Sequence, residues 1–369
     1  MPKPKINSIT LYLLAAVSLI FYFLYLGMIQ PRPKNNGAKL TEIKAARLML
    51  EAEKITFSCE KKRGLQPEKN FFDLNKTGLI GLEHSPLTTT LGNLEAKRTT
   101  TNPNMAALLV HLLEKAGVKE GDYFALGASG SFPALILASI CAAEALKANL
   151  KIIASVGASQ WGANNPEFSI LDLEECWRLA GFDHYHFLAI SWGGEDDSGR
   201  EFPEDLKLKL REKAAHLGIK FLEGEKFQEK VQKHLYLYEI NSPGGIKAFI
   251  NAGGSLVNLG RDSSILELPP GLANVKKLPP PEKRGLIQEM SAKGIPVIHL
   301  LNIRSLVQRY NLPWDPQPLP QPGQGINWPE ERSKKSSLYL FVFSYLFVLF
   351  LSALVFPAFI HKKHGRILP

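Results

Sequence analysis

Apolar residues follow three rhythms along this chain: unbroken runs at both ends, helical stripes, and short strand-length runs between polar loops. From Ile9 to Ile29 (ITLYLLAAVSLIFYFLYLGMI) there is no charged residue. About 21 residues at about 1.5 Å each cross a hydrocarbon core of about 30 Å. The run is too long for a cleaved signal and has no small-x-small site before Gln30, so an uncleaved anchor is expected. Leu338 to Ile360 (LYLFVFSYLFVLFLSALVFPAFI) reads as a second span, bracketed by Arg332, Lys334 and Lys335 and by Lys362, Lys363 and Arg366.

Between the two runs the period changes. KLTEIKAARLMLEAEKITFSCEKKRG places Ile43, Ala46 and Leu50, with Ala45 and Met49, on one stripe, which predicts a helix continuing from the anchor. Asn102 and Pro103 suit the start of a further helix, which Gly117 would end. Strand-like and helix-like stretches then alternate: DYFALGAS and FPALILASICAAEALKAN, KIIASVGAS and ILDLEECWRLAGF, YHFLAISW and PEDLKLKLREKAAHLG. IKFLE and EKFQEKVQKHLYLYEI follow, then IKAFINAGG with a short helix, then PVIHLLN. This order predicts an α/β fold, a mainly parallel sheet with helices on both faces, flanked by N- and C-terminal transmembrane helices. The expected division is an anchor over 1–30, an α/β domain over 31–311, a Pro-rich stalk over 312–337 acting as a semi-rigid spacer, a span over 338–360 and a basic tail over 361–369.

Composition narrows the classes. In 369 residues, 45% hydrophobic and 21% charged, neither disorder nor a bare polytopic transporter fits. Much of the net +9 sits beside the apolar runs, where Lys and Arg meet lipid headgroups, so the bilayer is an expected partner and nucleic acid is not. The flanks conflict over topology: Lys3, Lys5, Lys362, Lys363 and Arg366 favour cytoplasmic termini, while Arg32, Lys34, Lys39, Lys334 and Lys335 favour a cytoplasmic middle. A short basic N-terminus before a first span usually stays inside, which places the domain outside. Cys59, Cys141 and Cys176 are odd in number, far apart and without a Cys-x-x-Cys pair. They are expected to be packing residues, with no disulfide framework and no zinc site.

Ligands of open α/β sheets bind beyond the carboxyl ends of the strands. Three loops there are small, polar and uncharged: Gly127–Pro133 with Ser129, Gly130 and Ser131; Ser155–Asn165 with Ser159, Gln160 and Asn164; and Asn251–Ser255 with Asn251, Gly253 and Gly254. With a helix starting near Phe132, such loops suit a carboxylate or phosphate. Taken singly, each is also an ordinary strand-to-helix turn, with Ser131 as an N-cap. Glu83, Lys97 and Arg98 flank the threonine-rich stretch and are candidates for handling an acidic ligand, or else belong to a solvated loop. A catalytic alternative takes Ser129 as the nucleophile of an imperfect G-x-S-x-G elbow, with Asp196, Asp197 and His299 following in triad order. His184 and His186 alternate on one strand but lack a metal motif, while Asp172, Glu174 and Glu175 suit the first turn of a helix. No Walker pattern and no dinucleotide fingerprint occurs, so no cofactor and no metal is expected.

GLEHSPLTTTLGNLEAKRTTTNPNMAALL, GDYFALGASGSFPAL and SVGASQWGANNPEFSILDLE together resemble the poly-γ-glutamate system protein family. The resemblance spans most of the chain and implies a protein of the bacterial cytoplasmic membrane in capsule or released-polymer biosynthesis. Implied partners are poly-γ-glutamate or its precursor and the membrane subunits of the synthase. The expected function is an accessory one, binding through the Gly/Ser-rich loops; the alternatives are a membrane-tethered serine hydrolase acting on the polymer and a structural assembly factor.

Overall fold

The computed structural model describes residues 8–29, 38–224, 226–275, 277–329, 339 and 341–350. The chain forms two compact units, one of Asn36–Trp328 and one of Met1–Asn35 with Pro329–Pro369.

In the smaller unit, α1 (Ser8–Ile29) is a 22-residue helix without a charged residue, and residues 341–350 are helical. The two apolar segments meet through their aromatic rings. Phe21 lies 5.5 Å from Phe341 and 5.1 Å from Tyr345 between centroids, Tyr25 stacks on Phe341 at 5.9 Å, and the Ser18 and Tyr345 hydroxyls are 2.9 Å apart. Leu19, Ile20, Phe23 and Leu24 of α1, and Phe343, Phe347 and Phe350, point outward and are exposed. Among the described residues no helix is long and apolar enough to cross a membrane. Most of the span expected at Leu338–Ile360, the basic tail over 361–369, and Lys3, Lys5, Arg32, Lys34, Arg332, Lys334, Lys335, Lys362, Lys363 and Arg366 lie outside the described residues.

The larger unit begins with α2 (Leu40–Lys62), followed by β1 (Thr88–Thr90), α3 (Leu94–Thr100), α4 (Asn104–Lys115), β2 (Tyr123–Ser129), α5 (Pro133–Leu146) and β3 (Asn149–Ser155). Short strands β4 (Ala158–Ser159), β5 (Asn164–Asn165) and β6 (Phe168–Ser169) lead into α6 (Ile170–Arg178). Then come β7 (Tyr185–Ser191), α7 (Glu204–His216), β8 (Lys220–Phe221), α8 (Phe227–Ile240), β9 (Ile246–Ala252), α9 (Leu256–Leu259), β10 (Gly271–Ala273), α10 (Leu286–Ala292), β11 (Val297–His299) and α11 (Ile303–Arg309). The main sheet has seven strands in the order β10-β11-β9-β2-β3-β7-β8, parallel except for β10 at one edge.

Alternation along the strands divides the core. Phe124, Leu126 and Ala128 of β2, with Leu150, Ile152 and Ala154 of β3, face α2, α4, α5 and α6; Ala125 and Ile153 face α8, α9 and α10. Helix α5 is apolar nearly all round because it is covered on all sides, Pro133 to Ala143 being buried without a break. Asn102 accepts from the Asn104 N–H at 3.0 Å at the head of α4, and Gly117, at φ +88°, follows its end. The strands and helices predicted within the α/β domain form. The sequence reading omitted α3, the antiparallel β10, the helices α10 and α11, the parallel pair β1/β4 and the antiparallel pair β5/β6.

Two expectations are corrected. Cys59 on α2 and Cys176 on α6 form a disulfide, leaving Cys141 as the buried free thiol. The pairing joins residues 117 apart in sequence, and it arises because α2 and α6 pack together, which spacing alone does not reveal. The Pro-rich segment is also no spacer over 312–328, because it folds back as a strap. Asp315 pairs with Arg98, the Asn104 side chain bonds Gly323 N–H and Gln324 C=O, Ile326 is buried, and Trp328 Nε1 donates to Glu42 at 3.0 Å.

Candidate functional site

From β2 the chain moves outward through β3, β7 and β8, then returns to β2's other side with β9. The reversal makes the carboxyl ends of β2 and β9 a topological switch point, where side chains and backbone from two directions open a crevice. A cleft of about 610 Å³ lies there, with Ser129 and Ser131 after β2, Ser155, Gly157 and Ser159 after β3, and Gly254 and Ser255 after β9. The three neutral loops therefore share one space. A second hollow of about 290 Å³, beside the loop over 65–82, contains none of the predicted residues.

A fourth wall comes from the threonine-rich stretch. β1 pairs in parallel with β4, which brings Thr89 and Thr90 to the cleft. Asn93 then caps α3, its Oδ1 accepting from Ala96 N–H at 2.7 Å, and one turn later Lys97 enters the wall. Lys97 is 2% exposed. Its Nζ donates to the Ser131 carbonyl and, at 2.7 Å, to Ser159 Oγ, and lies 4.0 Å from the centroid of the Phe132 ring. No carboxylate partners it among the described residues, and burial pushes its amine down to about 7. The Ser131 hydroxyl accepts from the Ser159 N–H at 3.0 Å, so Ser131 ties two loops together; Phe132, not Ser131, occupies the N-cap of α5.

The predicted residues separate by role. Lys97, Ser129, Ser131, Ser159 and Gly254 line the cleft. Gly253 sits behind Ser129 at φ +105°, where a Cβ would strike Ser129 Oγ, and the Gly130 N–H donates to Ser155 C=O at 2.8 Å. Gln160 accepts from Gly92 N–H at 3.0 Å. Asn164 holds Leu82 and Thr88 with three bonds of 2.8 to 2.9 Å, so both side chains secure the 81–92 segment. Asn251 is buried and its amide donates to the Gly253 carbonyl at 3.0 Å. Glu83 is exposed and does not line the cleft, and Arg98 is held by Asp315.

The triad alternative is corrected. His299 meets Asn251 at 3.2 Å, and burial pushes its imidazole down to about 4. Asp197 accepts from Ser191 Oγ at 2.8 Å and from Gly193 N–H, and burial raises its carboxyl to about 6; Asp196 pairs with Arg261. Ser129 receives only a long 3.4 Å bond from Ser131 N–H, so no base reaches it. His184 bonds Glu144 while His186 is exposed, and no metal-binding cluster exists among the described residues. The acids at the head of α6 keep their structural role: Asp172 accepts from Ser169 N–H and Oγ and pairs with Arg63 and Lys213. Sequence reasoning missed the Gly193–Glu195 loop after β7, whose two glycines were a visible signal of a further small-residue turn.

Comparison with protein-family models, curated proteins and solved structures finds no match.

Proposed function

We propose that this chain is a membrane-anchored accessory protein of poly-γ-glutamate biosynthesis or export, binding the polymer, its precursor or a synthase partner at the carboxyl edge of its sheet. One observation carries the reading: a buried amine without a carboxylate partner among the described residues stands in a cleft lined mainly by hydroxyls, glycines and small side chains, with Phe132 beside it and the exposed Glu195 on the loop after β7. An entering carboxylate supplies the missing partner, and the neutral donors accommodate amide groups between successive carboxylates. The three segments that resemble the poly-γ-glutamate system family all contribute to this cleft, beside the loops after β7 and β9. They contribute β1 and Lys97, Ser129 to Phe132, and Ser155 to Ser159 respectively.

Anchoring by two spans, with the domain outside the bacterial cytoplasmic membrane, is part of the proposal. It is supported by the uncharged α1, by the outward-facing Leu and Phe residues of the paired apolar segments, and by the Cys59–Cys176 disulfide, which suits an oxidising compartment. Calorimetric titration of the full chain in detergent with γ-glutamate oligomers tests the site. Saturable binding is expected, weakened about tenfold or more by Lys97→Met; absence of saturable binding to the unaltered chain would sink the proposal. Topology is tested at the exposed Gln321. A Gln321→Cys side chain should react with an impermeant maleimide on intact cells, and reaction only after lysis reverses the assignment.

A further inference from the structure

The hydrogen bond between Lys97 and Ser159 has the form of a nucleophile and its base. We infer that Ser159 and Lys97 act as a serine–lysine pair that hydrolyses an amide bond of the γ-glutamyl chain in the cleft. This inference rests on the binding role proposed above: with its amine near 7, the protonated fraction of Lys97 pairs with a carboxylate and the neutral fraction serves as the base. Four features lead to it. Lys97 Nζ lies 2.7 Å from Ser159 Oγ; both residues are buried at the cleft wall, at 2% and 7% exposure; among the described residues no carboxylate keeps the amine charged; and the Ser131 carbonyl and Phe132 ring fix its position. An amine lowered to about 7 is substantially neutral near physiological pH, with a lone pair for the serine proton and an N–H still donated to Ser131 C=O. Ser131, whose hydroxyl accepts from Ser159 N–H, retains its own O–H for donation to the substrate carbonyl oxygen.

In the first step an electron pair of Ser159 Oγ forms a bond to the amide carbonyl carbon, and the serine proton passes to Lys97 Nζ. Collapse of the tetrahedral adduct breaks the C–N bond, and the departing nitrogen takes that proton, leaving an ester on Ser159. A water molecule then attacks the ester carbon while Lys97 accepts a water proton. The C–Oγ bond breaks, Oγ takes the proton back, and a carboxylic acid leaves. Water is the co-reactant and nothing is oxidised or reduced. Other charges nearby are Glu95 and Arg98 on α3, the latter held by Asp315, and the exposed Glu195 on the loop after β7.

The test is treatment of the full chain in detergent with a fluorophosphonate, located by peptide mass spectrometry, beside cleavage of γ-glutamate oligomers. Ser159 should be labelled at a rate that rises with pH through about 7. Ser159→Ala should remove the label, and Lys97→Met and Lys97→Arg should each slow labelling about a thousandfold or more, because neither replacement supplies a neutral amine. Circular dichroism checks that each variant is folded. A folded, unaltered chain that binds the oligomers yet takes no label on Ser159 and releases no cleaved product overturns the pair and leaves the binding role standing. Labelling of Ser159 without oligomer binding supports the pair and removes γ-glutamate as its substrate.

Discussion

Two buried charges in the larger unit have opposite surroundings. At the seam between α2 and α6, the Asp172 carboxylate is 1% exposed and fully occupied, with Arg63 and Lys213 as ion partners and the Ser169 N–H and hydroxyl as donors. The nearby Cys59–Cys176 bond and the Trp177 Nε1 to Thr56 Oγ1 bond close the same seam. At the cleft, Lys97 is equally buried but meets only a carbonyl, a hydroxyl and a ring face. Burial is expensive in both places, yet only the seam compensates it internally. The contrast separates a charge that holds the fold together from one kept available for something that enters.

The largest effect expected from breaking this contrast is at the seam. Asp172→Ala leaves Arg63 and Lys213 without their shared anion and removes the acidic half of the capping box that Ser169 opens at α6. With Arg63 still paired to Glu175, it should destabilise the unit by about 2–4 kcal/mol in urea unfolding of the full chain; a change below about 1 kcal/mol would make the seam energetically no different from the surface. Replacing both Cys59 and Cys176 by Ala should cost about 2–4 kcal/mol, and the native protein should run differently on reducing and non-reducing gels. At the cleft the sign reverses. With its folded value near 7 against 10.5 when unfolded, Lys97 binds fewer protons in the folded state between those pH values, so stability rises with pH across that window. Lys97→Met should flatten this slope, leave stability at pH 7 unchanged or higher, and reduce ligand-dependent stabilisation; an equal loss of stability at every pH would make Lys97 a structural residue. The smallest effect on the fold belongs to Gly254→Ala. Its Cβ would meet no atom within 4 Å, so unfolding should change by less than about 0.5 kcal/mol while the narrowed cleft binds oligomers more weakly.

The parts legible in the sequence were those governed by local pattern. β2, β3 and β9 are buried on both faces, so their apolar runs end visibly in Ser, Gly and Asn, and the convergence of their loops follows from parallel topology. Pairings made by tertiary approach were not legible. Cys59 and Cys176 meet only because two helices pack; Gln160 and Asn164 look like ligand groups but spend their bonds on the 81–92 segment. Lys97 was visible as a candidate, but its separation from the carboxylates of the described residues depends on α3 turning it inward while the adjacent Arg98 turns to Asp315. Ser129, His299 and Asp197 have triad order without triad geometry, because each is satisfied by a different neighbour.

The strap over 312–328 also dictates an order of assembly. Arg98 finds Asp315 across 217 residues, Asn104 finds Gln324 across 220, and Glu42 finds Trp328 across 286. During synthesis α2 and α3 emerge first and wait for nearly the whole unit before these contacts can close. A nascent chain halted before residue 312 therefore carries every strand of the sheet but lacks the segment that locks the helix bearing Lys97. The contacts that hold α3 to the strap become available only once every strand beneath the cleft has been made.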